Sequence, residues 1–590
     1  MEVTRLFDFP YYQLEKHNLE AALITKYDGK WVKTSTQEYI DKANTISRAL
    51  LRLGVKKDDK IAVISSTNRT EWNIVDIGVL QIGAQNIPIY PTISHEDYEY
   101  VLNHSESIYC FVSDEEVLDK INKVKHNTKL KEVYSFDHIK GCKHYSELFE
   151  LGKDDANQTI VEACKNNVKP TDLATIIYTS GTTGTPKGVM LSHRNITSNA
   201  LDSVPRLPLL EKDEIRVLSF LPICHIFERV LIYIYQYAGA SVYFAEGLDK
   251  IGDNAKEIKP QLMSVVPRLL EKVFDKIYAK GDELSGIKKA LFYWAIKLGE
   301  QYEPYQANGP WYGFKLKIAR KLIFSKWKEA LGGELSTMVS GSAPLNPRLS
   351  RIFCAAGMMV MEGYGLTETS PVVSVGMLRD HHFKIGTVGK PIRNVEVKIA
   401  EDDEILIKGP NVMMGYYKDP EKTASVMTGE YFHTGDKGLI DEDGFLKITG
   451  RKKEMFKTSG GKYIIPTLLE NDLKESHFIE QVMVIGEGEK MPAALIQPNF
   501  EFISDWIDRK HLNIGKSHKE IAQSQEVINR IQKEIDACNE HFGKWEQIKR
   551  FELTPDVWSI DGGQLTPTMK MKREVIKTIY LDLYNKIYEQ

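Results

Sequence analysis

The sequence predicts a layered α/β protein with a large N-terminal domain followed by a smaller C-terminal domain of different build. Three observations predict it. A chain of 590 residues is longer than one hydrophobic core organises. Short apolar, β-rich runs alternate with helix-spaced segments through the first half. The pattern then changes near residue 386 to hairpins, and again after the basic stretch RKKEMFK at 451–457.

In chain order, the runs KIAVISS (60–66), YCFVS (109–113), ATIIYTS (174–180), SVYFAE (241–246) and STMVSGS (336–342) read as buried parallel strands. The stretches 268–280 and 287–301 between them carry apolar residues at helical spacing. VEVKIA (395–400), an acidic turn and EILIKG (404–409) read as a hairpin. GLIDEDGFLKITG (438–450) reads as a second one around Asp443-Gly444. These hairpins define a smaller β-rich subdomain over about 386–450. Residues 451–590 return to mixed helices and strands.

Composition narrows the function. Hydrophobic residues at 42% and charged residues at 27% are ordinary for a globular chain. A formal charge of -4 supplies no field that would favour nucleic acid as the main partner. The six cysteines stand far apart with no CxxC pair, which favours scattered thiols over a zinc site or disulfide framework. The first residues, MEVTRLFDFPYYQLEKHN, lack an apolar signal core, and no apolar run reaches membrane-spanning length. The expectation is a cytoplasmic protein, with peripheral attachment to the inner membrane face left open. Monomer and homodimer both stay open.

YTSGTTGTPKG (178–188) follows the strand ATIIY and precedes a predicted helix near residue 193. Its small residues, Gly181 and Gly184 among them, let backbone approach a polyphosphate. Thr179, Ser180, Thr182, Thr183 and Thr185 add hydroxyl donors and Lys187 a positive charge. A flexible surface loop rarely places so many donors beside a buried strand. A Walker A loop needs Gly, Lys and Ser or Thr after its spacing, whereas Gly181 is followed at that spacing by Pro186, Lys187 and Gly188. A P-loop kinase or GTPase is therefore disfavoured.

Four more segments carry chemistry. GYGLTETSP (363–371) sets an aromatic face, a hydroxyl and a carboxylate within one turn, and also reads as a capped helix start after a strand. YFHTGDKG (431–438) places Asp436 in a glycine-flanked turn, which alone is only a turn signal. GRKKEMFK (450–457) reads by itself as a solvated basic linker, and Lys452 fits that reading. LTPTMKMKR (565–573) holds Lys570, a residue that near a C-terminus is usually surface decoration.

Taken in order from about residue 20 to the C-terminus, these motifs resemble the acyl-adenylate-forming superfamily, which includes acyl-CoA synthetases, luciferases and peptide-synthetase adenylation domains. The resemblance implies an N-terminal adenylation domain (1–450) of layered α/β subdomains plus a small β-barrel-like subdomain, and a mobile C-terminal α+β lid (451–590) carrying Lys570. It implies that Tyr364 stacks on adenine, Thr367 contacts the α-phosphate and Glu368 ligates Mg2+ with help from Thr179; hard oxygen ligands beside phosphates suit that ion. Asp436 and Arg451 are implied at the ribose, the carboxylate accepting from two hydroxyls. Lys453 matches the hinge position. Lys570 matches the lysine that neutralises the α-phosphate; the family more often has Gly before it, where this chain has Met569. Gly341 and Gly363 join the nucleotide set by the same resemblance.

Of three further assignments, two keep two readings. His225, in LPICHIFERV (221–230), fits a pocket residue near the carboxylate and phosphate as well as it fits a core histidine. TSGGKYI (458–464), with Ser459 and Gly460, is a candidate pantetheine passage. Either Lys457 or Lys462 is placed to meet phosphates.

The implied activity is an ATP-dependent ligation of a fatty acid to coenzyme A through acyl-AMP. Catalysis of the first step then rests on positioning and charge stabilisation. LPICHIFERV, VVPRLLEKVFDKI (265–277), SGSAPLNPRL (340–349) and KWEQIKRFEL (544–553) resemble long-chain members. Chain-length choice needs an apolar channel, each buried methylene contributing ~0.8 kcal/mol, and one sequence does not display it. Two alternatives are a fatty acyl-AMP ligase that delivers to a carrier-protein thiol and a non-catalytic fatty-acid binding or transport protein. The second would not need Glu368, Asp436, Arg451 and Lys570. WYGFKLKIARKLIFSKWKEAL (311–331) reads first as an amphipathic helix packed on the main domain with its lysines in water, and second as a segment resting on an anionic membrane.

Overall fold

The five apolar runs form strands at Lys60–Ile64, Ser107–Val112, Leu173–Thr179, Ala240–Phe244 and Thr337–Ser340 in the computed structural model, which describes residues 1–179, 185–208, 214–560, 562–566 and 569–589. They divide between two sheets. Eight strands run in the order Gly415–Tyr416, Lys187–Ser192, Leu173–Thr179, Gln85–Ile89, Lys60–Ile64, Ser107–Val112, Glu132–Ser135, Lys143–His144. Nine run in the order Lys390–Pro391, Val372–Val375, Met359–Gly365, Thr337–Ser340, Leu262–Val265, Ile215–Ser219, Ala240–Phe244, Leu23–Tyr27, Lys30–Thr34. Pairing is parallel through most of both sheets, and antiparallel strands close the edges. This is the mixed, helix-covered arrangement of an α/β protein.

One core joins the inner faces of the two sheets with the helices Thr36–Arg52, Thr70–Gln81 and Ile226–Tyr237. All twelve residues of Thr70–Gln81 are buried, so polar groups on it need partners from the protein. Asp76 finds them. Arg229 Nη2 lies 2.6 Å from Asp76 Oδ1, Asn86 Nδ2 donates to the same oxygen at 2.6 Å, and the Tyr233 hydroxyl donates to Oδ2. Arg229 Nη1 reaches on to Thr175 Oγ1 at 2.8 Å. Burial of the fully enclosed guanidinium pulls its pKa down, but Asp76 and Tyr233 together hold it above the ordinary value. The predicted helices appear as Pro267–Asp282 and Gly286–Glu300, packed on a second core around the other face of the nine-stranded sheet.

The two predicted hairpins form. Asp403 N donates to Ala400 O at 3.0 Å between the strands Glu396–Ile399 and Glu404–Lys408. Gly444, at φ 84°, closes the turn between Tyr431–Ile440 and Leu446–Arg451 by donating to Asp441 O at 2.9 Å. The chain divides within this segment. One unit takes Met1–Lys398, Leu406–Thr434 and Ile440–Leu446; the other takes Ile399–Ile405, Gly435–Leu439 and Lys447–Gln590.

The second unit is α+β. Its sheet runs Ile479–Ile485, Ala493–Pro498, Arg550–Leu553, the first pair antiparallel and the second parallel. Side chains alternate to two separate cores. Val482, Val484, Ala494 and Ile496 pack with Phe500–Lys510 and Gln525–Asn539, while Met483, Ile485, Ala493 and Leu495 pack against 576–588. All six cysteines are free thiols, and Cys110, Cys224, Cys354 and Cys538 are buried. Among the described residues no helix is long and apolar enough to cross a membrane.

Candidate functional site

The loop at 178–188 joins two antiparallel strands, because residues 187–192 form a strand that pairs back on Leu173–Thr179 before the helix His193–Ser203 begins. The described flank of the loop is therefore a strand, with Lys187 at its first position. Ser180, Gly181, Thr182, Thr183 and Gly184 lie outside the described residues. Thr179 and Lys187 stand directly opposite each other across the ladder, and Thr185 is exposed.

A short strand, Gly415–Tyr416, adds to the free side of Lys187–Ser192, with Tyr416 opposite Val189. This brings the Tyr416 ring beneath Lys187, whose Nζ is 5.8 Å from the ring centroid. The Tyr416 hydroxyl donates to Glu368 Oε1 at 2.9 Å. Burial and, after it, the Glu368 carboxylate push the phenol pKa far up, so the hydroxyl keeps its proton and holds the carboxylate in place. Met413 N donates to Glu368 O at 2.9 Å, fixing the backbone of the same residue. Lys187 and Glu368 thus meet at Tyr416, a residue the motif reading does not single out, and Thr179 stands across the ladder from Lys187. The partners of Tyr416 lie far along the chain, and GYYKDP carries no local spacing that would reveal them.

GYGLTETSP begins as the end of the strand Met359–Gly365, where Tyr364 pairs with Ser374. A Cβ on Gly365 would sit 1.8 Å from Pro371 O, so only glycine permits this close return of the chain. Gly363 is in ordinary contact with Ser374 and Val375. Instead of a helix start, Thr367–Thr369 is a single 3-10 turn, and Thr369 Oγ1 accepts from Leu366 N at 3.0 Å. Thr367 is buried and Glu368 half-buried. Just before the motif, burial raises the Glu362 pKa to about 8, and its Oε1 accepts from Leu345 N at 3.2 Å.

His225 caps the helix Ile226–Tyr237, its Nδ1 accepting from Phe227 N at 3.2 Å, which puts the proton of the neutral ring on Nε2. The Tyr90 ring lies 6.4 Å away, edge-on. Gly341 follows the strand Thr337–Ser340, and a Cβ there would press on Phe227 at 3.2 Å. One residue past Phe227, Glu228 accepts hydroxyl hydrogen bonds from Ser219 and Ser264 and is wholly buried.

In the second unit Asp436 and Arg451 are partners, Nε to Oδ1 at 2.9 Å, with Asp436 buried and Arg451 half-buried. Gly435, at φ 71°, makes the turn, and its N donates to Glu404 Oε1 at 2.9 Å. Lys452 is more than a linker residue, because it lies 2.7 Å from Asp402 and 3.1 Å from Glu404. Lys453 is exposed in the turn that follows. Lys457 lies over the Tyr463 ring at 4.5 Å, and Lys462 over Trp545 at 5.7 Å. Ser459 and Gly460 are exposed between those lysines. There Gly461, at φ 76°, carries the left-handed turn, while a Cβ on Gly460 would meet only Thr458 Oγ1 at 3.9 Å. Lys570 is exposed on a small turn in which Thr566 N donates to Lys570 O at 2.8 Å and Lys570 N to Thr566 Oγ1 at 3.0 Å. Met569 sits in that turn at φ 61°, the conformation that glycine adopts without strain.

The donor set fits Mg2+ better than a metal that needs a protein cage. Glu368 offers a hard carboxylate oxygen already oriented by Tyr416, and among the described residues no three His, Cys, Asp or Glu side chains cluster to hold an ion. Mg2+ is commonly held by one or two carboxylates together with substrate phosphates.

Comparisons with known proteins show the family. Residues 12–417 match the AMP-binding enzyme family and 454–590 match the AMP-binding enzyme C-terminal domain. The chain is 33% identical over 569 residues to the long-chain-fatty-acid–CoA ligase FadD15 of Mycobacterium bovis, covering 95% of this chain and 93% of the relative. It is 32% identical to human long-chain-fatty-acid–CoA ligase 1, over 95% of this chain and 83% of that one. Among solved structures, the adenylation domain of a carboxylate reductase from Mycobacterium chelonae superposes with a TM-score of 0.74 at 20% identity, covering 99% and 91% of the two chains. O-succinylbenzoate CoA synthetase from Bacillus subtilis, solved with ATP and magnesium, superposes at 0.66 with 19% identity, covering 96% and 98%. Two-thirds of the chain matching one family, and relatives above 30% identity along nearly its whole length, place this protein in the AMP-binding enzyme family.

Proposed function

We propose that this protein activates a fatty acid, long-chain by its relatives, to acyl-AMP at the expense of ATP and passes the acyl group to coenzyme A. The observation that carries the reading is the meeting of Lys187 and Glu368 at Tyr416, with Thr179 opposite Lys187 in the ladder. The names of the long-chain-fatty-acid–CoA ligases to which the chain is similar support the substrate class.

A carboxylate resists attack by a thiol because its charge repels the nucleophile and oxide is a poor leaving group. Attack of the carboxylate oxygen on the α-phosphorus of ATP breaks the bond to pyrophosphate and makes a mixed anhydride. The thiolate of CoA then attacks the acyl carbon, and AMP leaves with the bridging oxygen. Lys187 and the loop hydroxyls hold the phosphates, and Thr367 donates to the α-phosphate. Glu368 and Thr179 would hold Mg2+, which would offset negative charge on the phosphates of ATP. Tyr364 stacks on adenine, Asp436 and Arg451 take the ribose, and Gly341 and Gly363 let backbone lie close to the nucleotide. His225 presents its Nε2 proton to the substrate carboxylate or phosphate. Lys570 neutralises the α-phosphate in the first step only, and Lys453 is the hinge. Ser459 and Gly460 admit pantetheine, with Lys457 or Lys462 meeting phosphates.

The test is fatty-acid-dependent exchange of labelled pyrophosphate into ATP, followed by detection of the thioester once CoA is added. No exchange excludes adenylation. Exchange without thioester points to a carrier-protein thiol as acceptor. Lys570→Ala is expected to lower exchange by at least about a hundredfold while thioester formation from supplied acyl-AMP survives; equal loss of both steps rules out the one-step role.

A further inference from the structure

Asn68 ties the two large sheets together at the place where His225 is set. It lies between the strand Lys60–Ile64 of the eight-stranded sheet and the helix Thr70–Gln81, and it is 5% exposed. Its side chain reaches the nine-stranded sheet. Nδ2 donates to Ser219 Oγ at 2.9 Å and to Leu221 O at 2.7 Å, and Oδ1 accepts from Ile223 N at 3.0 Å. Ser219 ends the strand Ile215–Ser219, and residues 220–224 carry the chain from there to His225. Two of the bonds flank Pro222. Proline has no N–H with which to continue a ladder, so the backbone on either side takes a side chain as its partner. Pro222 O accepts from His225 N at 2.9 Å, which closes the turn on the histidine.

The same amide holds His225 from the other side. Ser219 Oγ, which accepts from Asn68, donates in turn to Glu228 Oε1, and Glu228 Oε2 accepts from Ser264 Oγ at 2.6 Å. Glu228 stands in the first turn of the helix that His225 caps. The histidine therefore lies between two clamps, the turn before it and the helix start after it, and Asn68 belongs to both. Asn68, Ser219, Glu228 and Ser264 are all buried, and a buried polar network whose members are satisfied holds its groups rigidly. The bond from Phe227 N to His225 Nδ1 then turns the ring and leaves its proton on Nε2. We propose that Asn68 is a positioning residue for adenylation: through the turn at 219–223 and through Glu228 it fixes where His225 presents its Nε2 proton. This role rests on the reading of His225 as a group that meets the substrate carboxylate or phosphate. Loosening the turn leaves the ATP contacts, which come from other segments, and moves the proton off its mark; a displacement of about 1 Å is enough to cost about a hundredfold in rate.

A double-variant cycle on fatty-acid-dependent pyrophosphate exchange by the whole protein tests it. Asn68→Asp keeps the shape and an oxygen for Ile223 N, and loses the donor to Ser219 and Leu221. It is expected to lower kcat by about ten- to a hundredfold while the KM for ATP stays within about twofold. His225→Ala is expected to lower kcat by a similar factor. Adding Asn68→Asp to it is expected to cost less than about twofold more, because residues that act through one another do not add. Ser219→Ala breaks the path to Glu228, leaves the bonds at Leu221 and Ile223, and runs through the same cycle as the milder change should Asn68→Asp fold poorly. Losses that multiply fully in the His225→Ala background, or a rise in the KM for ATP that accounts for the loss, would overturn the proposal and leave Asn68 a structural amide. Failure of the underlying reading looks different: the wild type would show no exchange, or His225→Ala would exchange as the wild type does, and either result removes the proposal together with the role of His225.

Discussion

Glu228 is wholly enclosed, both its carboxyl oxygens accept hydroxyl hydrogen bonds, and burial raises its pKa from 4.5 to about 7. Between those values the folded protein holds a proton that the unfolded chain has released. Stability therefore falls as pH rises through that window, on the order of 1 kcal/mol per pH unit from this group alone. Glu228→Gln removes the titration and keeps an amide able to serve both serines. The difference in melting temperature between wild type and Glu228→Gln, measured from pH 5 to pH 7, is expected to move steadily in favour of the variant. A difference independent of pH would show that Glu228 ionises as an ordinary carboxylate. Tyr416 gives a second expectation. Tyr416→Phe deletes the hydrogen bond to Glu368 and keeps the ring beneath Lys187. A lost bond to a charged acceptor is worth about 1.5–3 kcal/mol, so pyrophosphate exchange should fall by about tenfold or more and need more Mg2+. Unaltered exchange would detach Tyr416 from the chemistry.

Among the elements, the helix Ile226–Tyr237 does two things at once. Its first turn presents His225 and Glu228, and its second anchors Arg229 and Tyr233 on Asp76 of the helix Thr70–Gln81. Arg229→Met would leave the Asp76 carboxylate buried without its counter-charge, a loss of about 3–5 kcal/mol. The expected result is a large drop in the urea midpoint, recovered in part by adding Asp76→Asn; additive losses in the double variant would argue against the pairing. Much of this architecture is legible in the sequence, because the buried residues 61–64 of the strand Lys60–Ile64 are all apolar and a turn such as Asp443-Gly444 needs its glycine at positive φ. The strand Lys187–Ser192 is not. It is short, follows a loop rich in glycine and threonine, and gains its identity from pairing with Leu173–Thr179 on one side and Gly415–Tyr416 on the other. The same non-local pairing hid Tyr416, whereas Thr367 and Glu368 were legible because their motif is contiguous. Glu362 and Glu228 were passed over for a different reason: a carboxylate in sequence looks like surface until its neighbours exclude water.

For the molecule as a whole, the chain carries independent cores. Among the described residues the larger unit holds three hydrophobic clusters and the smaller two, one on each face of its own sheet. Units with separate cores need not unfold together. Heating followed by fluorescence and by circular dichroism is expected to give transitions that do not coincide. Limited trypsin digestion is expected to cut first beside the exposed Lys453, leaving a fragment that begins near 454 resistant because its core is self-contained. A single coincident transition with uniform digestion would show that the two cores melt as one.

The buried thiols have a practical consequence. Cys110, Cys224 and Cys354 lie in the larger unit and Cys538 in the smaller, and burial raises the pKa of each, that of Cys354 to about 11. A thiol without its anion scarcely alkylates. Each is therefore silent to iodoacetamide until its own surroundings breathe open, and the rate at which the four acquire label, read peptide by peptide, makes the protein its own stopwatch for how often each region comes apart.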